Sequence, residues 1–106
     1  RAVEGPMTPE MELKVAEREA VVRRVRELLT DELGIRRSPE HIDPDAPLFS
    51  TGLALDSVDG IELVVAVETA FDVRLPDGEG LGPILRSVNR IADYVMAQWA
   101  TNGGDP

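Results

Sequence analysis

The sequence contains no cysteine. That excludes disulfides, thiolate metal ligands and a cysteine nucleophile. The single histidine, His41, has no second histidine to share a metal and no neighbour that marks it as the base of a catalytic pair. Aromatics are few, and Trp99 and Tyr94 read as core and rim residues rather than as a platform for stacked bases. No apolar run approaches the ~20 residues that cross a bilayer. No charged-then-apolar leader is visible either, and the expectation is a soluble cytoplasmic protein without membrane insertion. Walker and dinucleotide glycine motifs are missing. Asp43 and Asp45 hint at a calcium loop, but the glycine and the distal glutamate of an EF-hand are not at the required spacing. No nucleophile, base and orienting group form a credible set, so neither catalytic residues nor a metal site are expected.

Positive charge is also scarce where it matters. Over residues 38–85 there are ten carboxylates against one base, Arg74, whereas the rest of the chain is balanced. The net charge of −9 therefore belongs to the middle of the molecule. Such a field repels nucleic acid and anionic lipid and favours encounter with basic protein surfaces. Solubility alone would explain the acids equally well.

The 106 residues suit one domain, placed at 8–101. Residues 1–7 precede or include a possible initiator, Met7, and read as an expression scar and disordered start. Residues 102–106 read as a polar, disordered tail. A first helix is expected over 9–33. Thr8 caps it, Pro9 takes the first helical position, and Val21, Val25, Leu28, Leu29 and Leu33 form its apolar stripe. Gly34 is the stop, and the polar start of the helix projects or frays. The stretch 35–56 is broken by Pro39, Pro44 and Pro47, with one short turn at Ser38-Pro39-Glu40. Its scattered Ile42, Leu48, Phe49, Leu53 and Leu55 pin it to a core. A second helix spans 57–71, capped by Asp56 and ended before Pro76. The glycine-rich stretch 77–86 holds one soft helical piece. A last helix covers 88–100, capped by Ser87, with Val88, Ile91, Ala92, Val95, Met96 and Trp99 on one face. The fold class is all-α: a small bundle of three main helices plus one short helix.

The second helix has more apolar residues than one buried face needs. Leu63, Val64, Val67, Ala70 and Phe71 make an inward stripe, while Val58, Ile61 and Val65 make another, beside Asp59, Glu62 and Glu68. The second line fits a partner-binding face. It fits equally a helix buried on two sides, and periodicity does not separate them. Ser57 is the other residue of interest. A serine beside an aspartate at a helix start is ordinarily capping chemistry. Here Asp56 already supplies the cap, which leaves the Ser57 hydroxyl at the first helical position, where a phosphate diester is favourably placed.

The run Leu48-Phe49-Ser50-Thr51-Gly52-Leu53-Ala54-Leu55-Asp56-Ser57-Val58-Asp59 resembles the prosthetic-group motif of acyl carrier proteins. The similarity extends through Ile61-Glu62-Leu63, Glu68, Phe71, Leu75 and Pro76 and resumes at Ile91-Ala92-Asp93-Tyr94-Val95, so that it covers about 18–99. The resemblance implies a four-helix bundle of acyl-carrier type and a 4′-phosphopantetheine arm joined covalently to Ser57 by a phosphopantetheinyl transferase that reads Asp56. It implies that Val58, Asp59, Ile61, Glu62, Val65 and Glu68 dock acyl-loading and acyl-processing enzymes through basic, partly apolar surfaces. The chain would then be a non-catalytic carrier presenting thioester cargo to enzymes of fatty-acid, polyketide or related lipid synthesis.

Three features depart from the family pattern: an N-terminal extension of the first helix, a long glycine-rich stretch before the last, and Gly60 inside the second. The glycine-rich stretch corresponds to one wall of the site where family members shelter an acyl chain, and shelter is not expected here. Gly60 would permit close approach of a partner. Together they point to a specialised carrier. An aminoacyl or peptidyl carrier shares the fold and the serine, and a helical interaction module without a covalent cofactor is the alternative from another class. The narrow stripe, ringed by like charge, leads us to expect a monomer.

Overall fold

The chain's computed structural model describes residues 8–35, 38–49 and 55–101. The readings for 1–7 and 102–106, and for Leu53, lie outside the described residues. Among those described there are helices and turns but no strand. Helix α1 spans Pro9–Asp31, α2 Ser57–Phe71, α3 Leu81–Ile84 and α4 Val88–Thr101; single 3-10 turns lie at Pro39–His41 and Gly78–Gly80. This is the expected bundle of three main helices and one short one. No helix among the described residues is long and apolar enough to cross a membrane.

Local chemistry sets most of the boundaries. The Thr8 hydroxyl accepts the Met11 N–H at 3.1 Å, and Pro9 opens α1. The helix stops two residues short of Leu33. Gly34 adopts φ +73°, which a residue with a Cβ resists, and the chain unwinds towards it so that the Ile35 N–H reaches the Leu29 carbonyl at 3.2 Å. Residues 9–16 are helical and all exposed, so the polar start of α1 projects from the bundle. Helix α2 ends well before Pro76, because Asp72 turns left-handed at φ 55°, a conformation that Asp tolerates better than most residues. Ser87 caps α4 by accepting the Arg90 N–H at 3.2 Å.

The core draws Val21, Val25, Leu28 and Leu29 from α1, Leu63, Val67 and Phe71 from α2, and Val88, Ile91, Ala92, Val95 and Trp99 from α4. Each Val, Leu, Ile or Phe side chain among them contributes about 1.5–3 kcal/mol on burial. Met96 and Leu33 lie half-buried at its edge. Ala70 corrects the expected inward stripe: it is exposed, because the buried line of α2 runs 63, 67, 71 and turns position 70 towards the groove beside α1.

The long connection between α1 and α2 is pinned, as expected from its apolar residues. Ile42, Leu48 and Leu55 are buried, whereas Phe49 stays at the surface. Backbone groups of its described residues find partners on α1, on α4 and in the turn between α3 and α4. Arg26 donates to the Ile42 carbonyl at 2.9 Å, the Asn89 N–H to the Pro44 carbonyl at 2.9 Å, and the Leu48 N–H to the Arg86 carbonyl at 3.0 Å. The Leu55 N–H closes back on the Leu48 carbonyl at 2.8 Å. Asn89 is the hub of this seam: its side chain donates to Asp45 at 2.6 Å and accepts from Arg18 at 3.1 Å, and Arg18 also pairs with Asp93 at 2.7 Å. The start of α2 is thus delivered to one end of the bundle by a connection fastened on both sides.

Candidate functional site

The start of α2 is built by two carboxylates. One Asp56 oxygen accepts the Asp59 N–H at 2.8 Å, and one Asp59 oxygen accepts the Asp56 N–H at 3.1 Å. This reciprocal box satisfies two of the amides that a helix start leaves over. Ser57, the first helical residue, has no part in it. The residue is exposed, and among the described residues nothing hydrogen-bonds its hydroxyl. The backbone N–H groups of Ser57 and Val58 likewise have no partner among the described residues. Positions 50–54 of the motif lie outside the described residues.

Along α2, Val58, Ile61 and Val65 are 62%, 66% and 57% exposed. Those values decide between the two readings of the extra stripe: it is an open surface and is not buried between helices. The three acids beside it differ. Asp59 is half-buried and occupied by the capping box. Glu68 is half-buried and accepts the Leu75 N–H at 2.9 Å, which fastens the segment after α2 back onto the helix. Glu62 is exposed and has no hydrogen bond or ion pair among the described residues.

A groove of about 680 Å³ opens beside Ser57. One wall is α2, through Gly60, Ile61, Val64 and Val65; the opposite wall is the glycine-rich stretch and α3, through Gly78, Leu81, Gly82 and Leu85. Phe49 and Leu48 close a third side, and the lining is mainly apolar. The glycine-rich stretch therefore does form the wall that the resemblance implies. Gly60 is also explained differently from the expectation. The group that approaches it closely is Phe49 of the same chain, whose ring carbons would lie 3.3 and 3.5 Å from a Cβ placed there.

Sequence reasoning did not single out Phe49, Asp77 or Arg86 as neighbours of Ser57, yet all line the same groove. Only the Phe49 position inside the motif offered a signal. His41 is exposed, and among the described residues no three His, Asp or Glu side chains gather as a metal site.

Comparison with known proteins bears on this same segment. The family described as "Phosphopantetheine attachment site" matches residues 23–95, from the middle of α1 into α4. The chain is also similar to the "Acyl carrier protein" of Cyanidioschyzon merolae (strain NIES-3377 / 10D), at 32% identity over 76 residues, which is 72% of this chain and 78% of that protein.

Proposed function

The chain belongs to the acyl carrier protein family, and from that premise we propose that Ser57 is the serine that bears its 4′-phosphopantetheine arm. A single observation carries the assignment: Ser57 is exposed at the first position of α2, its hydroxyl has no hydrogen bond among the described residues, and the neighbouring Asp56 does the capping. Ser87 is buried and holds the Arg90 amide. Ser38 lies at a three-residue turn outside the motif.

The residues present fit the group. Two amides without a partner among the described residues, at the positive end of α2, suit a phosphate diester on the Ser57 oxygen, against the opposing charge of Asp56 and Asp59. Once bound, the arm supplies a thiol that holds cargo as a thioester. The protein's own work is to offer the Ser57 oxygen, hold the start of α2 rigid through the capping box, and present a docking face. In the loading step the Ser57 oxygen forms a bond to the phosphorus of coenzyme A as adenosine 3′,5′-bisphosphate departs. Its proton passes to a base of the phosphopantetheinyl transferase.

Val58, Ile61 and Val65 with Glu62 make the face for that transferase and for acyl-loading and acyl-processing enzymes with basic surfaces, and Asp56 and Asp59 add charge at its edge. Glu68 serves this face mainly by its field, since its carboxylate is held by Leu75. An apolar groove beside Ser57 favours acyl over aminoacyl or peptidyl cargo. The role is that of a non-catalytic, monomeric carrier in fatty-acid, polyketide or related lipid synthesis, with its projecting α1 marking a specialised member. A stable dimer in sedimentation would overturn the monomer.

Incubation with coenzyme A and a promiscuous phosphopantetheinyl transferase, followed by mass measurement, tests the assignment. A mass gain that Ser57→Ala abolishes supports it. No gain on folded protein would leave a helical interaction module instead. Loading by acyl and aminoacyl ligases then separates the two cargo classes.

A further inference from the structure

Among the described residues that line the groove beside Ser57 there is one base, Arg86. Its place is fixed by the backbone on both sides. Leu85 before it is buried, Ser87 after it is buried and caps α4, and its own carbonyl holds the Leu48 N–H at 3.0 Å. The exposed side chain therefore leaves a rigid junction and lines the groove into which Ser57 also opens. Among the described residues no carboxylate pairs with it, although the chain has twenty acids to eleven bases and Asp77 belongs to the same lining. Any anion attached at Ser57 meets the repulsion of Asp56 and Asp59, and Arg86 is the one positive charge among the described residues of the groove to offset it.

We propose that Arg86 receives an anionic oxygen brought into this groove by the group tethered at Ser57, an inference that rests on the Ser57 assignment. A guanidinium suits the task. It stays charged at all working pH values, and its planar fork matches the paired oxygens of a phosphate diester or a carboxylate. Two sources can deliver that oxygen: the diester of the arm itself, or the free carboxylate of a diacid carried as its half-thioester. The apolar walls accept the methylenes between the two ends of such a cargo, and Arg86 distinguishes it from a simple fatty acyl group of equal length.

The experiment follows the Arg86 side-chain Nε–Hε resonance in 15N-arginine-labelled full-length protein. The signal is assigned by its loss in Arg86→Gln or, should that variant not fold, in Arg86→Lys. Four forms are compared, each verified by mass: unmodified, arm with free thiol, butyryl and succinyl. A downfield shift with slowed hydrogen exchange in every armed form identifies the diester as the source. A shift in the succinyl form alone, with butyryl unmoved, identifies the cargo carboxylate. Either result supports the proposal. A resonance that stays put in all armed forms overturns it and leaves the Ser57 assignment intact. Failure to gain the mass of the arm removes the Ser57 assignment and this inference with it.

Discussion

The ring of Phe49 rests on the bare Cα of Gly60, with Cε1 3.3 Å and Cζ 3.5 Å from the point a Cβ would occupy. A glycine inside a helix costs about 1 kcal/mol against alanine, so its presence here calls for a steric reason, and the ring provides one. The contact is made by the outer end of a surface side chain, which can retreat a few tenths of an ångström. Gly60→Ala is therefore expected to raise stability by about 0.5 kcal/mol, part of the propensity gain being lost to the displaced ring. Urea denaturation measures this. Destabilisation would mean that Phe49 is clamped by its surroundings, and Gly60→Ala in a Phe49→Ala background would then recover the full gain.

The capping box makes a second expectation. Asp56→Ala should cost about 1 kcal/mol, because the Asp59 amide loses its acceptor while the partner carboxylate loses its orientation. Asp56→Asn retains an acceptor oxygen and should keep nearly all of the stability. The pair of variants separates folding from recognition. If the transferase reads the Asp56 charge, Asp56→Asn will melt like the wild type yet load more slowly, in a time course followed by mass.

Glu62 and Glu68 are predicted to behave oppositely, despite lying on one helix among the same kinds of neighbours. Glu68 holds the Leu75 amide from a half-buried position, and Glu68→Ala should cost about 1–2 kcal/mol by leaving that amide unpaired. Glu62 has no partner among the described residues, so Glu62→Ala should leave the melting temperature unchanged. Its effect belongs in docking: weaker binding to a basic partner enzyme, with a shallower dependence on salt. Equal losses of stability in both variants would contradict this division.

The residues that sequence reasoning placed correctly are those whose partners lie one helical turn away. Asp56 meets Asp59 at three residues' distance, Ser87 meets Arg90 in the same way, and Thr8 meets Met11, so the starts of three helices were legible from local chemistry alone. The exposure of Ser57 was legible in the same way, since its neighbour Asp56 provides the cap. What escaped depends on the path of the connecting segments. Glu68 looks like a surface acid until the chain turns at Asp72 and brings Leu75 back to it. Gly60 looks like a gap left for a partner until Phe49 folds over it. Arg86 lines the same groove as Ser57 at a junction where its carbonyl holds the Leu48 amide, a contact between distant parts of the chain. Ala70 shows the limit of periodicity: an apolar residue too small to demand burial is turned outwards when larger side chains at 67 and 71 take the core.

Trp99 carries the last expectation. Its ring meets Phe71 edge-on, with centroids 6.0 Å apart and planes at 63°, while its indole N–H donates to the Phe71 carbonyl at 3.0 Å. That carbonyl belongs to the final residue of α2, where a helix leaves its acceptors without internal partners. One side chain of α4 thus supplies both an aromatic contact and the closing hydrogen bond for the helix that bears Ser57. Trp99→Phe removes the donor and keeps an aromatic ring, so the loss should come mainly from the stranded carbonyl, at about 1–3 kcal/mol. Trp99→Leu gives up the edge-on contact as well and should cost about 1 kcal/mol more. Thermal unfolding ranks the two. Amide exchange locates the damage, which should be concentrated in the last turn of α2 while the capping box at its start stays protected. Uniform loss of protection along the helix would show that α2 is a single cooperative unit, and that the indole supports the Ser57 end as strongly as its own.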